Sequence, residues 1–83
     1  MENKVVCVTP LPDGWLHVEL ADGRIGQFDV KPFMRSDFFA ALHDITYFNE
    51  VRLFFGGVGW PNGQDLGPDT IAVFMQTAET VAV

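Results

Sequence analysis

Cations are scarce in this chain. Its 83 residues carry 5 Lys and Arg against 11 Asp and Glu, a formal charge of −6. Each phosphate contact wants a cation, so direct nucleic-acid binding is not expected. Cysteine is nearly absent as well. The single Cys7 excludes an internal disulfide framework and any multi-cysteine metal site. Flanked by Val6 and Val8, it reads as a buried, reduced thiol in a strand. Long apolar runs are missing too. The longest spans five residues, as in FFAAL, against roughly 20 needed to cross a bilayer, so no membrane association is expected. The N-terminal MENK lacks a basic segment leading into an apolar stretch, so no secretory leader is expected and the expected location is cytoplasmic.

What the chain does have is apolar bulk. Hydrophobic residues make up 48%, including eight Phe, two Trp and one Tyr. That is too apolar for a disordered chain. The length allows a single domain, residues 1–83. So many rings in a small domain leave some exposed, and a second protein or self-association into a homo-oligomer would complete their burial.

Charge is uneven. Residues 1–35 hold Lys4, Arg24, Lys31 and Arg35 against Glu2, Asp13, Glu19, Asp22 and Asp29, a net −1. Residues 36–83 hold Arg52 alone against Asp37, Asp44, Glu50, Asp65, Asp69 and Glu79, a net −5. The ordinary role of such charge is solubility. As a binding surface, the acidic half would meet a basic partner.

The first third reads as strands. KVVCVTPL (residues 4–11) is rich in β-branched residues, and Pro12-Asp13-Gly14 is turn chemistry. Residues 15–20 alternate, with Leu16, Val18 and Leu20 on one face. Asp22-Gly23 signals a hairpin, and RIGQFDV (residues 24–30) returns. A two-residue loop would pair Leu16 with Asp29, placing a carboxylate opposite the core face. A slip of one residue puts Gly26, Phe28 and Val30 there instead. The sequence therefore predicts an irregularity between Gly23 and Gly26, with Phe28 and Val30 facing inward.

Lys31-Pro32 ends this strand. Ser36 is set to cap a helix from Asp37 to about His43, with Phe38 and Phe39 sharing a stripe with Leu42. Thr46 is set to cap a further turn at residues 47–49. Residues 51–55 form a fourth strand and residues 58–60 a short fifth, around the glycine turn at 56–59. Pro61-Asn62-Gly63 is another turn. Gly67-Pro68-Asp69-Thr70 opens a helix reaching about Gln76, and residues 81–83 fray. The predicted fold is α+β: an antiparallel β-meander in β-β-β-α-β-β-α order, with two short helices packed on one face.

Three stretches together carry a resemblance: DGRIGQFDVKPF (residues 22–33), YFNEVR (residues 47–52) and WPNGQDLGPDT (residues 60–70). In this order and at these intervals they resemble the bacterial domain-of-unknown-function family 2442, over roughly residues 5–75. The resemblance implies a small α+β domain without an assigned reaction, often encoded beside another small protein in arrangements like toxin–antitoxin pairs. Some longer relatives carry a helix-turn-helix segment after this domain. The present sequence stops before one, so direct DNA reading is not implied. Two departures stand out. Gly57-Val58-Gly59 replaces a more apolar strand, and residues 71–83 are more apolar than the family pattern, favouring a packed or self-associating C-terminus.

No motif of established chemistry is present. Cys7 and His17 lie on the first two strands and are able to face each other, but nothing in an acidic, apolar setting lowers the thiol's pKa. Ser36 and His43 complete the candidate nucleophiles and bases, and no catalytic residue is assigned. Asp65 and Asp69 lack the alternating oxygen ligands of a calcium loop, so no metal site and no cofactor is expected. The glycines at 56–59 are followed by Trp60-Pro61 and not by a lysine and a helix, a poor phosphate cradle. Asp29 wants Lys31, Arg24 or backbone N–H groups as structural partners.

The leading expectation is therefore a non-enzymatic protein-binding module, antitoxin-like in the sense the resemblance implies. The ordinary role of Trp60 is to pack under the last helix while Asn62-Gly63 supplies the turn. In the binding reading, Trp60, Asn62, Asp65 and Asp69 would form the module's acidic and aromatic contact surface for another small, basic protein encoded nearby. The alternative is a ligand-sensing domain with a small pocket lined by Phe28, Phe38, Phe48 and Trp60.

Overall fold

Strand β1 (Val5–Leu11) turns through Pro12–Gly14 into β2 (Trp15–Leu20), which leads into β3 (Ile25–Asp29). In the computed structural model, which describes residues 3–77, these strands form an antiparallel meander. A 3-10 segment at Phe39–His43 and a single helical turn, α1 (Ile45–Phe48), follow. Strands β4 (Arg52–Phe54), β5 (Gly57–Gly59) and β6 (Asp65–Leu66) make a second antiparallel sheet. Helix α2 (Pro68–Phe74) precedes β7 (Gln76–Thr77), which returns to the free edge of β3. The architecture is α+β as predicted. The short strands β6 and β7 were not anticipated. Both are two residues long, too brief to show alternation.

The predicted register slip is present. Leu16 stands opposite Phe28 and Val18 opposite Gly26, so Phe28 and Val30 are buried and Asp29 turns away from the core. The irregularity lies in the loop. Leu20 N–H donates to the Arg24 carbonyl at 2.8 Å and Gly23 N–H to the Leu20 carbonyl at 3.0 Å, with Gly23 at φ 97°. That is a three-residue loop whose extra residue shifts the pairing by one. Gly26 itself sits in a regular ladder. It is glycine because β7 crosses there: a Cβ would lie 2.3 Å from the Gln76 carbonyl oxygen.

The segment before β4 differs from its α-helical expectation. The Ser36 hydroxyl accepts from Phe39 N–H at 3.3 Å, but the helix is 3-10, begins at Phe39 and has Phe38, not Ser36, at its N-cap with no side-chain cap bond. With three residues per turn, Phe39 and Leu42 align while Phe38 rotates away. Leu42 is accordingly buried and Phe38 is 54% exposed. The next turn is capped by Asp44, not Thr46: the Asp44 carboxylate accepts from Thr46 N–H at 3.0 Å.

The two sheets share one core. Leu16, Val18, Leu20 and Phe28 from the first sheet cluster with Val58 and Leu66 from the second, and Ile71 of α2 closes over them. Gly57-Val58-Gly59 forms a strand despite its glycines, with Val58 fully buried. Val5 N–H donates to the Gly56 carbonyl at 2.8 Å, tying β1 to the β4–β5 turn. The expected fraying at 81–83 falls outside the described residues, as does the apolar tail beyond residue 77.

Candidate functional site

The residues expected to form a contact surface do not all reach the surface. Trp60 is 3% exposed and donates its Nε1–H to the Phe48 carbonyl at 2.9 Å. A ring so enclosed is a core member, so Trp60 is withdrawn as a partner anchor. Asn62 is exposed at a tight turn, and its backbone N–H donates to the Tyr47 hydroxyl at 2.8 Å. Asp69 is exposed in the first turn of α2, where it accepts from Asn3 Nδ2 at 3.0 Å. Asn3 Oδ1 in turn accepts from Arg24, whose Nε reaches Asp22 at 2.9 Å. Asp69 thus anchors a polar chain linking α2 to the β2–β3 loop. Asp65 stays exposed on β6.

The alternative pocket is not assembled either. Phe28 stacks on Phe33 at a 5.5 Å centroid distance, while Phe48 packs against Trp60 at 5.9 Å. Phe38 points largely to solvent. Of these four residues, only Phe48 borders the main cleft, a cavity of about 430 Å³ between the Pro12–Gly14 turn and α1.

Exposed rings were expected from the composition, but no local signal singled out Phe54 and Phe55. All three residues of β4 are exposed, and β4 is a terminal strand of its sheet. Phe55, in the two-residue turn to β5, is 88% exposed and has φ 47°. It meets Phe54 edge-to-face at 4.5 Å. A bulky residue at positive φ is an outlier, costing about 1–2 kcal/mol. Burial does not repay that cost here. Across the sheet, Arg52 pairs with Gly59 and Gly59 with Asp65, so Arg52, Phe54 and Asp65 share the outer face. The Phe55-Gly56 turn lies beside the start of α2: a Cβ on Gly56 would be 3.7 Å from Pro68. Asp69 and Val73 follow on one helical face, and Val73 is 73% exposed.

The side chains with chemical potential are mostly engaged in structure. His17 opposes Thr9 and Cys7 opposes Glu19, and the His17 ring pairs with Glu19 at 3.0 Å. Cys7 lies in β1 as expected but is half-buried, not buried. Asp29 holds Lys31 by both its backbone N–H (3.0 Å) and its ammonium (2.9 Å), a structural role as expected. Among the described residues no group of three or more His, Cys, Asp or Glu side chains converges. No helix among them is long and apolar enough to cross a membrane.

A small α+β domain with two short antiparallel sheets and an exposed aromatic turn is the class these features define. The chain belongs to the family described as "Protein of unknown function (DUF2442)", whose model matches residues 5–73. Searches of curated proteins and of solved structures each returned no match.

Proposed function

We propose that this protein is a non-enzymatic, cytoplasmic binding module that docks a basic partner protein through the outer face of its second sheet. The observation that carries this reading is Phe55: an aromatic ring almost wholly in water, on a backbone conformation it resists. Strain retained without a gain in folding points to a role in recognition. Aromatic anchors are typical centres of protein interfaces. Phe54 and Phe55 would enter an apolar pocket of the partner. Asp65 and Asp69 would lie at the rim, where complementary charge speeds encounter. The net −5 of residues 36–83 supports a basic partner. That the partner is a small toxin-like protein, neutralised by this chain, rests on the family resemblance alone.

The test is co-purification at native expression, with mass spectrometry of what is retained, for the natural chain and for Phe55→Asn and Asp65→Lys. One basic protein retained by the natural chain and lost from both folded variants is the expected result. Equal retention by all three would overturn the reading.

A further inference from the structure

We propose that the cleft between the Pro12–Gly14 turn and α1 binds a small organic amine with an apolar body. Its volume of about 430 Å³ lies within the range of small-molecule sites. Leu11, Met34, Leu42, Ile45 and Phe48 supply apolar walls. Asp13, Trp15, Lys31 and His43 supply the polar atoms. None of these belongs to the Phe54–Phe55 face, so the site is separate from the docking surface.

The charges decide which ligand fits. Lys31 is already spent. Its ammonium lies 2.9 Å from Asp29 Oδ1, donates to the Asp13 carbonyl and sits 5.1 Å above the Trp15 ring centre. An anion arriving there would have to compete with Asp29. The Asp13 carboxylate, by contrast, takes no hydrogen bond or ion pair from any described residue. Its backbone stands between Pro12 and Gly14 at φ 63°, which sets the exposed acid at the rim of the cleft. The chain's overall charge of −6 adds a long-range attraction for cations. An ammonium would therefore meet Asp13 while a ring or alkyl group fills the space against Leu42, Met34 and Phe48.

The experiment is an amide-shift NMR titration of the full chain with tryptamine, and with indole-3-acetate as the same ring carrying the opposite charge. Tryptamine is expected to shift the amides of residues 13–15 and 42–48, binding roughly tenfold more tightly than indole-3-acetate. Asp13→Asn, which keeps a side chain tolerant of positive φ, should lose roughly tenfold in tryptamine affinity. Equal binding of amine and acid to the natural chain overturns the proposal without reliance on any variant. So does an unchanged affinity in Asp13→Asn, or the absence of shifts at these amides at millimolar tryptamine.

Discussion

The Tyr47 hydroxyl donates to Gln64 Oε1 at 2.6 Å, and this bond clamps the turn after β5 onto α1. Gln64 is 2% exposed, and its amide nitrogen donates to the Phe38 carbonyl at 2.8 Å. The same hydroxyl accepts from Asn62 N–H. A buried amide is tolerated here because both of its ends are satisfied.

Tyr47→Phe should therefore destabilise the fold. It leaves Gln64 Oε1 and Asn62 N–H without this partner, and an unsatisfied buried acceptor costs about 1–3 kcal/mol. Urea unfolding should show a lower midpoint with an unchanged slope. An unaltered midpoint would mean that water replaces the hydroxyl freely.

Phe55→Asn should act in the opposite direction. It creates Asn-Gly in a two-residue hairpin loop, the preferred pair where both φ values are positive, here 47° and 83°. Relief of left-handed strain outweighs the lost contact with Phe54, for a net gain of up to about 1 kcal/mol. Thermal unfolding should rise while partner retention falls. That combination separates a recognition residue from a folding one.

Gly26→Ala tests the crossing of β7. A methyl group 2.3 Å from the Gln76 carbonyl oxygen cannot be accommodated unless that backbone moves. Overpacking of this kind costs about 1–3 kcal/mol. Amide exchange should accelerate at Gln76 and Thr77 before it does in β2. Uniform loss of protection would instead place β7 in the global unfolding unit.

Asp22 contributes to the acid limb of stability. The Arg24 backbone N–H, followed by its guanidinium, holds this carboxyl below its ordinary value of 3.8. A depressed native pKa favours folding above 3.8 and loses that contribution as pH falls through the lower native value. Asp22→Asn should therefore narrow the stability difference between neutral and strongly acidic pH. Because the site is exposed, the change should be small and weaken further with added salt. Matched unfolding curves at both pH values check it.

Alternation in residues 15–20, the inward turn of Phe28 and Val30, and the proline start of α2 were legible because each depends on neighbours in sequence. Periodicity, turn chemistry and capping are local physics. Packing of Trp60 was an ordinary expectation, but what covers it was not legible. Whether a tryptophan after a glycine-rich strand faces water or a core depends on α1, whose Phe48 carbonyl receives its indole N–H. Phe38 failed for a related reason: a 3-10 segment replaced the α-helix, and the change of period moved one ring outward. By itself, then, the amino-acid order determined the class of fold, the strand register and the sign of the charge. The tertiary structure alone decided which aromatic side chains remain in solvent, since that follows from which distant backbones arrive to cover them.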